Sequence, residues 1–571
     1  MSDSESSEDR AQSARETSTR VRSHSSSRIR GLSYSSHLVQ VISNHDAESR
    51  YRVEKADNGI PSNVHVTTGK EIVSWEPNDK ENPYNFSTKR KALITIITML
   101  TVINTTLGSS LPSMAVPAIT QEWGVTSSTQ KVLPISTYLT GYVFGPLLWG
   151  PFSEHIGRRN LTIAAHCLFT VWTLGCALSP NWPAFLVFRL LCGAFGSAPI
   201  AIVSGQLADI FDDPVTRGRA LAYFMATTVF GPLLAPIISG FCSTTIGWRW
   251  AFWIALVYAG ATLIPVVLLL PETYAPVLLT RRARKIRKED PTAQVYSAFE
   301  LEDKDIKQVV TKVLTRPIRM ILTELIVTAT CIYLALVYAI FYISFGSFPI
   351  IFQDLYGLSP GVAGLLFLPQ FVGILIALGI FFMWDNYLRK AQEKNLPWTK
   401  KEEYRRVPLA TLGGPIFAVS MFWLGFSAKK DVSYAVPSIA GVGFGLGYQL
   451  IFMGMLNYLT DAYEIFAASA NSASSSLRSL FAVVLPLATA SMFQELGIAG
   501  ALGLLGGLSL LLGAVPFVFL WKGEQIREKS AFCLALKEKK LEMQRKAEQE
   551  ARERDGNVTS GNVSQEEKET A

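Results

Sequence analysis

The sequence predicts an all-α membrane protein with 12 transmembrane helices, and three observations carry that expectation. Apolar residues make up 49% of the 571 positions and charged residues only 17%, where soluble domains usually reach about 25% charged. From Ala92 onward the chain holds twelve stretches of about 20 apolar residues, the length that crosses ~30 Å of hydrocarbon as helix. The charges crowd into the segments between and beyond those stretches. A soluble enzyme, a nucleic-acid binder and a disulfide-stapled secreted domain are thereby excluded.

The stretches run 92–113, 132–152, 160–178, 184–208, 220–242, 250–270, 322–348, 361–383, 408–427, 434–459, 466–493 and 499–521. None alternates in polarity as the short strands of a membrane barrel do, so helices are expected. Before them, residues 1–88 form a polar segment with 15 serines in its first 50 positions, expected to be a disordered cytoplasmic tail. The remaining division is a six-helix bundle over 89–271, a cytoplasmic central loop over 272–320, a second six-helix bundle over 321–521, and a cytoplasmic tail over 522–571. That last tail carries balanced charge from Lys522 on and is expected to be a solvated helix.

Orientation follows from the basic residues. With the amino terminus inside, the inner segments carry 22 Lys and Arg and the outer ones only Lys131, Arg249, Lys429 and Lys430. Both termini are then cytoplasmic, and the plasma membrane is the expected location. The sequons at Asn85, Asn160, Asn557 and Asn562 face the cytoplasm, and Asn104 lies inside the first stretch, so none is expected to carry sugar. The six cysteines show no C-x-x-C spacing, which leaves neither a zinc site nor a redox pair in view. No metal and no cofactor are expected.

The two sets of six stretches echo one another. Glu154 follows the second stretch, with Arg158 and Arg159 four and five residues on. Asp385 follows the eighth, with Arg389 and Lys390 at the same spacing, and Asp209 and Asp461 close the fourth and tenth stretches. Matching charges at matching connections are the pattern of an internally duplicated transporter.

The most specific local signal is Gly150-Pro-Phe-Ser-Glu154-His-Ile-Gly157-Arg158-Arg159. It resembles the G-x-x-x-D-x-x-G-R-[RK] connection of the major facilitator superfamily, with Glu in place of the usual Asp. Arg189 and Gly193 fit that superfamily's R-x-x-x-G in the fourth stretch. Gly231-Pro232, Pro236 and Gly240 resemble the antiporter motif of its drug exporters, although Ala235 and Ser239 stand where glycines are usual.

Trp75 with Asn82-Pro83-Tyr-Asn85 resembles an element of the fungal twelve-span drug:proton antiporter branch. Trp248-Arg249-Trp250, Pro271-Glu272-Thr273-Tyr274, Asn457-Tyr458-Leu-Thr-Asp461, Ser469-Ala-Asn471 and Leu477-Arg478-Ser479 match the same branch. Glu324-Leu325 and Glu403-Tyr404-Arg405-Arg406 depart from it. The resemblance runs from about Val73 to Lys522.

The resemblance implies the major facilitator fold, two pseudo-symmetric six-helix bundles that rock about a central site. It implies that Gly150, Glu154, Gly157, Arg158, Arg159 and Asp209 form a cytoplasmic latch, with Asp385, Arg389 and Asp461 as its copy; a permanently salt-bridged connection is the plainer alternative. Arg189, by the same route, is tied to proton movement. From the residues themselves, Arg478 with Asn471 and neighbouring serines forms a polar stripe in an apolar helix, which needs internal partners or water. With Tyr338 of the seventh stretch it is read either as cavity lining or as helix packing. No carboxylate lies mid-membrane in the first set, so Glu324, Asp209 and His166 are all candidates for the proton carrier.

The expected function is efflux of hydrophobic or amphipathic small molecules such as drugs or toxins, by proton antiport, through a monomer whose partners are a small-molecule substrate, protons and the lipid bilayer. No enzymatic activity and no nucleic-acid partner are expected, and no G-x-x-x-x-G-K-[ST] is present to drive an ATP pump. The alternatives are uptake of a nutrient or polyamine by the same fold, which P-E-S-P-R after the sixth stretch would favour and which is absent, and a non-transporting membrane sensor.

Overall fold

The computed structural model describes residues 64–67, 70–76, 78–301, 306–463, 466–538, 541 and 545. The serine-rich start of the chain and the end of the tail lie outside the described residues.

The chain forms two compact units. The smaller contains a three-stranded sheet of β1 (Val64–Thr67), β2 (Lys70–Val73) and β3 (Val295–Tyr296). β2 pairs antiparallel with β1 and parallel with β3, and Ile72, Val73 and Val295 are buried in it. Glu300 accepts from Arg284 and Arg287, both at 3.0 Å, and Arg287 also lies over the Tyr296 ring. Part of the expected tail and part of the expected central loop are therefore regular structure.

The larger unit is helical. Its amino-terminal set comprises α1 (Thr88–Ser110), α2 (Val116–Glu122), α3 (Ser128–Ile156), α4 (Arg158–Ala177), α5 (Trp182–Gly196), α6 (Ala198–Ile210), α7 (Pro214–Thr245) and α8 (Arg249–Leu269). After α9 (Ala275–Glu289), which from Thr280 on belongs to the smaller unit, and α10 (Ile306–Thr323) come α11 (Leu325–Phe348), α12 (Pro360–Leu365), α13 (Leu368–Glu393), α14 (Glu403–Ser427), α15 (Ala435–Tyr463), α16 (Ala467–Val484), α17 (Thr489–Leu512) and α18 (Ala514–Lys529). Side-chain caps start several of them: Ser87 accepts from Arg90 N, Asn181 from Ala184 N, and Asp213 from Thr216 N.

Ten helical stretches among the described residues are long and apolar enough to cross a membrane. Each of the twelve expected stretches lies wholly or mostly in helix. The numbers differ for two reasons. The Ser, Thr, Gly and Pro residues of α3 dilute its apolar character, and the last two stretches fall in one run, Ala467–Lys529, which passes through a tighter turn at Leu485–Ala488, a kink at Gly497 with φ 67° and a turn at Gly513. In these apolar helices hydroxyls turn back onto the carbonyl three or four residues earlier, as Thr101 does on Thr98 and Thr173 on Phe169. That keeps them satisfied without water.

Small residues bring the helices together. A Cβ at Gly141 would lie 2.1 Å from Ala194 N, and one at Gly193 only 1.9 Å from Tyr138 O, so α3 and α5 touch backbone to backbone. In the carboxy-terminal set Gly373 of α13 and Gly445 of α15 approach the facing backbone equally closely, at 2.0 Å each. The glycine run at 441–447 thus serves helix packing and no nucleotide.

Candidate functional site

One end of the helical unit carries Arg158, Arg219, Arg389 and Arg406 and is called the basic end below. The opposite end carries Trp123 and Arg249. Between α3 and α4 at the basic end, Gly157 has φ 103°, a conformation glycine adopts without strain. A Cβ there would also meet Glu272 Oε2 at 2.3 Å. This turn ends α3 and starts α4 at Arg158, whose backbone N–H donates to Glu272 Oε1 at 2.9 Å, while that of Arg159 donates to Oε2 at 3.3 Å. A carboxylate at the amino end of a helix is favoured by the unpaired N–H groups there.

The Arg158 side chain is buried, with Nε on Asp209 Oδ2 at 3.1 Å, Nη1 on Ser153, and the guanidinium 5.0 Å from the Tyr274 ring. Glu154 is half exposed and reaches Arg158 only at 4.0 Å. Arg159 donates to Val267 O at 2.9 Å. Gly150 has open space around it, so nothing at that position demands glycine.

The carboxy-terminal copy differs from expectation. Asp385, Arg389 and Asp461 are not brought together. Asp385 pairs across the two sets with Arg219 of α7 at 3.3 Å, and Asp461 pairs with Arg406 at 3.1 Å. Arg389 reaches only Asn386. The cause is local: no glycine follows Asp385, so α13 runs on to Glu393 and leaves Arg389 one turn further along the same helix.

Arg189 is 1% exposed and makes no ion pair. Its Nε donates to Pro134 O at 2.7 Å, Nη1 to Gly108 O at 2.6 Å and Nη2 to Ser109 O at 2.9 Å, over the ring of Tyr138. The Gly108 carbonyl is available because its regular helical donor would be residue 112, which is proline and has no N–H. Arg189 thereby ties α5 to α1 and α3.

The antiporter-like residues of α7 split between two contacts. Gly231 lies against α1, where a Cβ would meet Thr106 Oγ1 at 2.2 Å, and the Pro232 carbonyl accepts from Ser110 Oγ at 2.8 Å. Further along, Gly240 lies against Pro360 and Pro236 against Gly364, so the same motif joins the two sets near the opposite end. Ser136 Oγ, donating to Val483 O at 3.1 Å, and Gln353 against Met114 join them there as well.

Between the two ends, Arg478 of α16 is partly buried. It donates to Ser475 Oγ at 3.2 Å and lies over the rings of Tyr338 and Phe452 at 5.5 and 5.8 Å. Tyr338 packs on Tyr342, whose hydroxyl meets Ser109 Oγ of α1 at 3.0 Å. Asn471, two turns before Arg478, donates to Thr460 Oγ1 at 3.0 Å.

The family model described as Major Facilitator Superfamily matches residues 98–464, well over half of the chain. The chain belongs to the major facilitator superfamily. Similar members include the MFS transporter prlG of a fungal species, 35% identical over 80% of this chain and 96% of that protein. A citrinin biosynthesis cluster MFS transporter from Monascus ruber is 36% identical, covering 81% and 92% of the two chains. An MFS-type efflux pump from Trichophyton rubrum is also 36% identical, over 81% of this chain and 77% of that one. Among solved structures, the proton:xylose symporter XylE aligns with a TM-score of 0.55 at 16% identity, over 76% of this chain and 96% of that one. That likeness shows the major facilitator fold. The chain is accordingly a multi-pass membrane transporter of small molecules and no enzyme.

Within this major facilitator fold the remaining candidates lie apart from one another. Glu324 is buried at the basic end, where its Oε2 accepts from Tyr463 at 3.0 Å and from Ser530. His166 of α4 is 1% exposed and meets Thr262 Oγ1 at 2.9 Å, with Asn104 on the same hydroxyl at 3.3 Å. Among the described residues no three His, Cys, Asp or Glu side chains are grouped to hold a metal ion.

Three working residues escaped the sequence reading. Glu272 was visible only as part of a signature, Arg219 only as one of the inner charges, and Arg406 only within a departure from the family pattern. The last tail is also not wholly solvated, since Arg527 pairs with Glu402 and the buried Glu403, and Phe532 packs on Phe466.

Proposed function

We propose that the chain is a secondary exporter that moves hydrophobic or amphipathic small molecules out across the plasma membrane by proton antiport with alternating access. In this reading it acts as a monomer, with twelve crossings and both termini inside. The two bundles span 89–271 and 321–521, flanked by the tails and central loop already named. The observation that carries the reading is how the two helix sets meet. At the basic end the one ion pair between them, among the described residues, is Arg219–Asp385. At the opposite end they meet through small residues and single hydrogen bonds. The basic-end seam also packs Ala222 and Tyr223 of α7 against Phe381 and Phe382 of α13, and in this reading each seam parts while the other holds, as alternating access requires.

The buried cluster of Arg158, Asp209 and Glu272 holds α3, α4, α6 and the end of α8 together as one body. Arg219–Asp385 then acts as the catch that releases when the basic end opens. Support for outward transport comes from relatives described as efflux pumps at about a third identity or slightly more.

The test is direct. Cells lacking their own exporters, expressing the full chain, are loaded with a fluorescent amphipathic dye, and its loss is followed with and without a protonophore. Faster loss than in control cells, abolished by the protonophore, supports the proposal. Loss that is undiminished by the protonophore removes proton coupling, and retention equal to control removes export.

A further inference from the structure

Arg478 sits at mid-depth. Counting from the basic end of its helix it is 11 residues in, or about 16 Å at 1.5 Å per residue. Tyr338 and Phe452, whose rings it covers, lie about 20 and 16 Å from the same end of α11 and α15 by the same count. All three therefore fall near the centre of the hydrocarbon. A guanidinium at that depth is unfavourable unless something offsets its charge.

The Tyr338 and Phe452 ring faces supply part of that offset, and no carboxylate among the described residues supplies the rest. Among the described residues Arg478 has no carboxylate within ion-pairing distance, and its single hydrogen bond to Ser475 satisfies one of five N–H donors. Every Asp and Glu between Thr88 and Lys529 lies in a connection or near the end of a helix. The other mid-depth cation, Arg189, is likewise without an acid, its donors being spent on carbonyls. Among the described residues, the apolar part of the helices thus holds these two guanidiniums and no carboxylate.

The surroundings of Arg478 are aromatic. Tyr338 stacks edge-on with Tyr342 at 5.0 Å, and Tyr448 lies parallel to Phe452 at 4.5 Å. Tyr342 carries the cluster across to α1 through Ser109, so the charge stands where the two helix sets meet.

We propose that Arg478 binds an anionic group of the transported molecule and that the cargo class is aromatic weak acids carried as carboxylates. The planar guanidinium takes a carboxylate through two parallel N–H donors, and the tyrosine and phenylalanine rings take the flat apolar body. A neutral analogue loses the charge-assisted pair, and a cationic one is repelled by both arginines. The assignment rests on the exporter reading and narrows its substrate.

The experiment uses the purified full chain in lipid nanodiscs and three matched pairs of probes: 1-naphthoate, indole-3-acetate and 4-phenylbutyrate, each beside its primary amide. Binding is read by isothermal titration calorimetry, which the probes' own fluorescence does not disturb. At least one acid is expected to bind ten or more times tighter than its amide. Arg478→Gln is expected to erase that difference, and Arg478→Lys, which keeps the charge, to retain part of it. Acids bound no better than amides in all three pairs, or a preference that survives in Arg478→Gln, overturns the proposal. Counterflow in proteoliposomes separates this from the broader reading. Acid binding with no outward movement in cells leaves the site standing and removes export, whereas export of neutral dye with no acid preference removes the site and leaves the exporter.

Discussion

Two arginines lie inside the apolar helices, and they have opposite surroundings. Arg189 is buried with each of its three guanidinium nitrogens donating to a backbone carbonyl and a tyrosine face against it. Arg478 has one hydroxyl and two ring faces. The difference teaches that an intramembrane charge is not by itself a sign of cargo or proton chemistry; what matters is whether the fold has already answered it. A saturated arginine is a fastener, while an unsaturated one has room for something from outside.

The contrast breaks most readily at Arg189. Arg189→Ala strands three carbonyls in a dry site, and charged hydrogen bonds contribute about 1.5–3 kcal/mol each, so a loss of roughly 4 kcal/mol or outright failure to fold is expected. Thermal unfolding in detergent measures it, and an unchanged melting temperature would put Arg189 in the same class as Arg478.

Next in size is the basic-end pair of clusters. Removing Arg158, whose partner Asp209 is largely buried, is expected to destabilise by about 3 kcal/mol, as for a broken interior ion pair. Arg406→Ala breaks a pair whose acid is far more exposed, and a change below about 1 kcal/mol is expected. Equal losses in the same unfolding assay would mean that the copy works as hard as the original.

Arg478→Gln sharpens the comparison from the other side. With no internal acid left behind, stability is expected to stay within about 1 kcal/mol of the parent, as is usual for substitutions that strand no partner. A drop as large as that of Arg189→Ala would make Arg478 a second fastener.

The smallest effect belongs to Glu122, the last residue of α2 at the opposite end. Burial raises its pKa, but hydrogen bonds from Arg249 and Trp248 outweigh that and hold it below the ordinary carboxylate value of 4.5. A carboxylate lowered in the folded state contributes stability that is present above its unfolded pKa and is lost as pH falls through the folded value. Stability of the parent is therefore expected to fall faster than that of Glu122→Gln as pH drops below about 4.5. Parallel acid-unfolding curves would show that Glu122 contributes nothing.

How far the sequence alone reaches can be read from particular residues. The helices were legible because hydrocarbon sets one length for all of them, and α3 was legible despite its dilution by Ser, Thr and Pro. The Arg158 turn was legible because Gly157, Arg158 and Arg159 are adjacent and Gly157 ends a helix. Its partner Glu272 lies 114 positions from Arg158, and no local spacing announces such a contact. The proposed copy misled for a physical reason: spacing was repeated at Asp385 and Arg389 but the helix break was not. Arg189 was legible as special, yet its carbonyl partners depend on where Pro112 interrupts α1, which only the fold shows.

The two seams between the helix sets are made of different materials. At the opposite end Gly240 and Gly364 close against backbone, a contact governed by shape and indifferent to dissolved ions. At the basic end Arg219 with Asp385, partly open to solvent, adds a charged contact to the packing of Ala222 and Tyr223 on Phe381 and Phe382. Electrolyte weakens an exposed attraction between charges and leaves dispersion untouched. Raising ionic strength is therefore expected to weaken the basic-end seam more than the opposite one, by the share that Arg219–Asp385 contributes to it.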